Sequence, residues 1–172
     1  MKAEQDQYET VITYIIENQD KFYRLAYSYV HKKEDALDIV QNTICKALEN
    51  YETLRKTEAI RSWFYRILVN ESLAFLNRSK KELLSDLWEN QEGEENCYIE
   101  GESVPEDDWY ERGETLYDEI NALPYELQNI IKLHFFEKMK LREIAEIMNM
   151  NLSTVKAKLY RGLKKMKKNM EG

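Results

Sequence analysis

A chain of 172 residues has room for one ordinary domain or two small ones, and five Gly with two Pro leave little turn chemistry for a β-sandwich or barrel. No run of about 18 apolar residues occurs, so no membrane span or direct membrane insertion is expected; Met1 to Tyr14 carry acids and lack the apolar stretch of a signal peptide. The net charge of −7 argues against nucleic acid until its distribution is read: Glu82 to Glu111 hold 12 acids and no Lys or Arg, whereas Lys132 to Gly172 hold 11 bases against four acids.

The expected fold class is all-α, with two small helical domains at 8–80 and 112–170 joined by an acidic flexible linker at 81–111. In the first domain, apolar residues recur at helical spacing, as in Leu37, Val40, Ile44 and Leu48, and again in Ile60, Phe64, Leu68 and Phe75. Helices are predicted near 8–16, 19–31, 34–50 and 59–78. The linker combines low hydrophobicity with charge of one sign, which predicts weak order. Trp88 and Tyr98 are its aromatic exceptions, suited to docking on a partner, and Trp109 and Tyr110 are expected to begin the next helix. Beyond it, Pro124 suits the first turn of a helix running to about Phe136. A helix from Leu141 to Met148 follows, then a tight turn at Asn149-Met150-Asn151, since Asn tolerates the left-handed conformation. The last helix, capped by Asn151 or Ser153, runs through Lys168.

The segment LREIAEIMNMNLSTVKAKLYRGLKKMKK has the pattern of a helix-turn-helix. Ile144, Met148, Val155 and Leu159 are placed to form a small core, and Ala145 lets two helices approach. The second helix then carries a polar, basic face. Thr154, Lys156, Lys158 and Arg161 fall in its first half, where base edges are met, and Lys164, Lys165, Lys167 and Lys168 extend the charge toward phosphates. An isolated basic helix is more often a solvated face; the paired helix, the turn and the local charge favour DNA. Lys140 stands where Ser or Thr would cap the first helix, so that helix is expected to fray at its start.

Trp63, Arg66 and Asn70, spaced by three and four, share one helical face. It combines a stacking surface, a phosphate-seeking cation and an amide, the three groups that an unstacked base uses. Trp63 suits a packed core equally well. No Gly-rich phosphate loop, HExxH motif or Ser/His/Asp or Cys/His set is present, so neither an enzyme nor a cofactor is expected. Cys45 and Cys97 have no metal-ligand spacing and lie far from His31 and His134, so no metal is expected either. Two isolated thiols fit a reducing cytosol.

FYRLAYSYVHKKEDALDIVQNTICKALENY followed by IRSWFYRILVNESLAFLNRSKK is similar to sigma region two, and ALPYELQNIIKLHFFEKMKLREIAEIMNMNLSTVKAKLYRGLKKM resembles sigma region four. Their order and spacing resemble the extracytoplasmic-function (ECF) sigma factors of the sigma-70 family, and finer detail in FYRLAYSYV, ALDIVQ and SWFYRILV resembles members that answer envelope stress in Gram-positive bacteria. The resemblance implies promoter-specific transcription initiation. The implied partners are core RNA polymerase, through its β′ clamp and β subunits, promoter DNA, and an anti-sigma factor that in such systems is often membrane-anchored.

DALDIVQNTICKAL resembles the polymerase-binding helix, with Leu37, Val40 and Leu48 expected inward, Asp35, Asp38 and Gln41 outward, and Ile39 partly exposed; on residues alone this stripe is a solvated acidic face. SWFYRILVN resembles the promoter-melting segment. Asn70 matches the position that takes a flipped base of the −10 element, and Glu52 to Ser62, with Arg55, Lys56 and Arg61, matches the loop that shapes the pocket. Ser153, Thr154, Lys156, Lys158, Arg161 and Lys165 are the expected −35 contacts. The linker, about 30 residues long, stretches to about 100 Å and averages about 30 Å, enough to bridge promoter elements some 55 Å apart at roughly 35 Å per helical turn. Whether it enters a polymerase channel or serves as a plain tether is open. The competing readings are a helix-turn-helix repressor or activator that acts without core polymerase, and a helical polymerase-binding inhibitor.

Overall fold

A computed structural model describes residues 2–89, 116 and 118–171, with side chains for 2–81, 116 and 118–169. The described residues form helices and turns without a strand. Helix α1 (Lys2–Val30) is continuous, so the helices expected at 8–16 and 19–31 are one. The polar run Asn18-Gln19-Asp20 does not break it, because Asn18 Nδ2 donates back to the Tyr14 carbonyl at 2.8 Å within the helix. The helix ends where His31 takes a left-handed φ of 54°.

Helix α2 (Lys33–Glu49) packs on α1 through Ala36, Ile39, Val40, Thr43 and Ala47, at the i, i+3, i+4, i+7 rhythm of one stripe. The small members of that stripe allow close approach, and the Thr43 hydroxyl is satisfied by the Ile39 carbonyl at 2.7 Å. Two 3₁₀ turns, Tyr51–Thr53 and Thr57–Ala59, lead into α3 (Ile60–Glu89), which runs well past the expected end near 78. Phe22 of α1 stacks on Phe64 of α3 with centroids 4.1 Å apart, and Tyr14 and Tyr65 meet the same pair to complete the core of this bundle.

After a helical stretch at 118–121, α4 (Tyr125–Ile131) starts at Pro124, which stands just before the helix rather than in its first turn. Its continuation, Lys132–Phe136, is a π turn rather than α-helix. The His134 Nδ1–H donates to the Met139 carbonyl at 2.9 Å and holds the connector that follows. Helix α5 (Leu141–Met148) has the expected limits. Asn149 is left-handed, with φ 54° and ψ 50°, and turns the chain into α6 (Leu152–Glu171). Ile144, Val155 and Leu159 are buried and Met148 half-buried between these helices, as expected, and Ile147 joins them. Gly162 lies where α6 crosses α4; a Cβ there would stand 3.0 Å from Ile131 Cδ1. The readings for Trp88, Tyr98, Trp109 and Tyr110 concern side chains outside the described residues.

The first and second bundles pack against each other. The Tyr125 hydroxyl of α4 donates to the Val69 carbonyl of α3 at 2.8 Å, and the Tyr65 hydroxyl donates to Glu137 Oε2 at 2.8 Å. Arg61 donates to the Glu137 carbonyl and lies 3.7 Å from the Glu143 carboxylate. That pair lies beside the start of α5, where Glu143 also reaches back to the Lys140 amide at 3.5 Å. The start expected to fray at Lys140 is therefore braced by its neighbours.

Candidate nucleic-acid interfaces

Helix α3 has two opposed faces. Arg61, Tyr65 and Val69 face the second bundle. Trp63, Arg66 and Asn70 lie on the other side, where they line one cleft of about 420 Å³ with Lys46, Thr53 and Glu71. That volume admits a nucleobase and part of its sugar. The half-buried Trp63 is one wall, and Arg66 and Asn70 are exposed. Trp63 thus stands between the two sequence readings: it packs at its inner edge and leaves a surface in the cleft.

The loop before α3 fixes that indole. Trp63 Nε1–H donates to Thr53 Oγ1 at 2.8 Å, and Thr53 Oγ1 donates to the Asn50 carbonyl at 2.7 Å. Gln7 of α1 ties the loop down by donating to the carbonyls of Tyr51 (3.0 Å) and Leu54. On the wall of the cleft, the exposed Lys46 pairs with the buried Glu71. Arg55 and Lys56 are exposed between the two 3₁₀ turns. Arg61, expected among the cleft residues, is turned away from it, because Glu137 and Glu143 of the second bundle attract it. Sequence reasoning missed Thr53 and Lys46; the signal for Thr53 is a hydroxyl in the loop ten residues before the only Trp of α3 whose side chain is described.

The expected polymerase-binding stripe needs one exchange. Ile39 is 1% exposed and belongs to the core, whereas Leu37 is 41% exposed beside Asp38 and Gln41. The buried stripe of α2 runs through small residues, so Leu37, the larger hydrophobe, is left outside. Partial burial, opposed by Lys32 and reinforced by Asp38 and Glu34, pushes the Asp35 carboxyl up from its ordinary value.

On α6, Ser153, Lys156, Arg161 and Lys165 are exposed and Thr154 is half-exposed. Ser153 lies inside the first turn, so it is not the cap. Lys158, half-buried, is paired through its ammonium with Glu126 of α4 at 2.7 Å, because its position on the helix faces the neighbouring element. Tyr160, 70% exposed, takes a place on the outer face that sequence reasoning passed over. Its signal was available: an aromatic one turn after Lys156 in a helix whose outward residues are otherwise basic. Lys164, Lys167 and Lys168 continue the charge.

A helical bundle with an open cleft on α3 and a second bundle ending in a basic helix-turn-helix make a two-part architecture of the kind that nucleic-acid-binding proteins use. The family description Sigma-70 region 2 matches residues 15–82, and Sigma-70, region 4 matches residues 113–166. The chain is 44% identical over 167 residues to RNA polymerase sigma factor SigV of Bacillus subtilis, covering 97% of this chain and 95% of that protein. It is 26% identical to the ECF sigma factor SigW of the same organism, covering 98% and 91%. Among solved structures, the fold is similar to the sigma factor RpoE in complex with the anti-sigma factor NepR from Bartonella quintana, with TM-score 0.73, 18% identity and coverage of 92% and 95%. It is also similar to CnrH in complex with the cytosolic domain of CnrY, with TM-score 0.65, 15% identity and coverage of 94% and 87%. The chain belongs to the sigma-70 family of RNA polymerase sigma factors, in its extracytoplasmic-function group.

Proposed function

We propose that this sigma factor binds core polymerase through Asp35, Leu37, Asp38 and Gln41, captures an unstacked −10 base in the Trp63–Asn70 cleft, and reads the −35 element with α6. The observation that carries this is the cleft: Trp63, Arg66 and Asn70 line one concavity of nucleobase size on the face of α3 that the second bundle leaves uncovered. Trp63 stacks the base, Asn70 offers its amide to a base edge, and Arg66, Arg55 and Lys56 hold phosphates. Extruding a base costs a few kcal/mol. Capture offsets that cost in the open state alone, so binding itself shifts the duplex toward melting, and no catalytic residue or cofactor is needed.

On α6, Ser153, Thr154, Lys156, Tyr160 and Arg161 meet the major groove and Lys165 a phosphate. Residues 8–80 serve as −10 module and 112–170 as −35 module; of the stretch 81–111 expected to join them, 81–89 prolong α3, and the rest serves as the tether. The likeness to SigV supports a response to cell-envelope stress, and the complexed relatives support control by an anti-sigma factor. No described helix is long and apolar enough to cross a membrane. The proposed place of work is the cytoplasm, where core polymerase acts, and a membrane anchor would belong to the anti-sigma partner.

Transcription with purified core polymerase on a pool of genomic fragments tests this reading. Specific starts should depend on the chain. Asn70→Ala should lower open-complex yield, and Lys156→Ala with Arg161→Ala should abolish −35-dependent starts. Starts that persist unchanged in these variants would refute the residue assignments, and binding to duplex DNA as tightly without polymerase as with it would favour an autonomous regulator.

A further inference from the structure

The cleft on α3 holds an ion pair that the proposed function does not use. Lys46, in the last turn of α2, and Glu71 of α3 both line the cleft and are joined as a salt bridge. The pair is lopsided: the Glu71 side chain is 7% exposed and the Lys46 side chain 56%. An ammonium has three protons to donate. Among the described residues Glu71 is its one partner, so two protons remain on a cation that water still reaches. The backbone beneath it is fixed, since the Lys46 carbonyl accepts from the Asn50 N–H at 3.0 Å and from Asn50 Nδ2 at 2.9 Å. The Lys46 stem is therefore held at both ends, by the closed end of α2 and by a carboxylate set in the bundle.

We propose that Lys46 holds a backbone phosphate of the strand whose unstacked base enters the cleft, and that Glu71 positions its ammonium for that contact. The inference rests on the base-capture reading of the cleft. A captured nucleotide carries a phosphate on each side of its sugar. Arg66 stands on α3 and Lys46 on α2, so each of the two helices that wall the cleft supplies one cation. Contacts to phosphate fix register without reading sequence; two of them, on different helices, decide which nucleotide of the strand meets Trp63 and Asn70.

The buried carboxylate gives the contact two properties. A lysine loses rotamer freedom when it binds, and here Glu71 has already taken that freedom, which lowers the ordering cost. The pair is also neutral overall, so it adds little to the long-range attraction of DNA. Its pull is felt by a phosphate that reaches the exposed ammonium, nearer to the cation than to the buried anion. Such a contact forms when a nucleotide occupies the cleft, so it stabilises the open state in preference to the duplex.

The test uses the full chain with core polymerase and a single-stranded oligonucleotide spanning the −10 element of a start mapped in the transcription assay, read by anisotropy. Lys46→Met with Glu71→Gln removes both charges together, keeps the net charge of the site and leaves no buried carboxylate unpaired. It should weaken strand binding about tenfold, with binding to duplex −35 DNA unchanged. Replacing in turn each phosphate beside the captured base by an uncharged methylphosphonate should weaken wild-type binding by a similar factor. At one of the two positions that loss should not add to the loss in the double variant. Lys46→Gln, which can still donate to Glu71, should repeat the result if the double variant misfolds. Glu71→Gln alone makes the site more positive, yet loss of positioning should lower strand binding by about two- to tenfold; a rise would overturn the role of Glu71. Strand binding that survives in the folded Lys46 variants, or phosphate losses that add in full at both positions, would overturn the Lys46 contact. Asn70→Ala separates this proposal from the reading beneath it. Strand binding kept in that variant counts against the cleft itself, whereas binding lost there and kept without Lys46 refutes the phosphate contact alone.

Discussion

Trp63 is held by a hydroxyl as well as by its packed inner edge. Its indole N–H is fixed by Thr53, and Thr53 is fixed by the Asn50 carbonyl, so the plane offered to a base is set before any base arrives. Preorganisation of this kind lowers the ordering cost of binding. Thr53→Val preserves the side-chain shape, removes both bonds and should cost about 0.5–1.5 kcal/mol at the site. The expected outcome is open-complex formation reduced by roughly two- to tenfold with duplex −35 binding unchanged, read by fluorescence of a 2-aminopurine placed in the −10 element. An equal loss in both would show a general defect. The shared face of Trp63, Arg66 and Asn70 was legible because helical spacing alone places the three side chains together. The Thr53 contact was not, since the loop conformation that brings it to Trp63 depends on Gln7, more than forty residues away in sequence.

Helix α2 shows where pattern reading reaches its limit at the scale of an element. Hydrophobicity favours Leu37, Val40, Ile44 and Leu48 as the inner stripe. The helix instead buries Ala36, Ile39, Val40, Thr43 and Ala47, since small residues let α1 approach closely and a Thr hydroxyl can be satisfied by its own helix. Two stripes less than a turn apart compete, and packing decides between them. The consequence is a pair of opposite mutations. Ile39→Ala should destabilise the fold by about 2–5 kcal/mol, seen as a lowered midpoint in urea. Leu37→Ala should move stability by no more than about 0.5 kcal/mol while weakening binding to core polymerase in a pull-down or by anisotropy. The reverse pattern would restore the stripe read from sequence. By contrast, the limits of α5 and the turn after it were legible: one strong apolar stripe had no rival, and two Asn residues in the turn offered a left-handed position, which the structure gives to Asn149. The continuity of α1 was hidden because Asn18, a residue that favours turns, bonds back into the helix instead.

At the scale of the whole molecule, the seam between the bundles was invisible in the sequence, since it pairs residues about a hundred positions apart, such as Tyr29 with Asn129 and Ser28 with Lys132. Charge was legible, and it has a consequence across the chain. The exposed cations of α6 are tethered to a segment with 12 acids between Glu82 and Glu111. The chain connection keeps those acids, the first of which stand on the end of α3, at an effective concentration in the millimolar range near the helix. They compete with DNA phosphates for the same Lys and Arg side chains, and the whole-chain charge of −7 adds a repulsive field toward duplex. Replacing the Asp and Glu of 82–111 by Asn and Gln should therefore raise non-specific duplex affinity of the full chain. The effect should be largest near 50 mM salt and shrink toward 200 mM, a range in which DNA affinities resting on phosphate contacts commonly fall about 10³–10⁵-fold. Anisotropy titrations against a promoterless duplex over that range measure it. An affinity that is unchanged at low salt would mean that the acidic segment and the recognition helix do not meet, leaving the segment to act as a spacer alone.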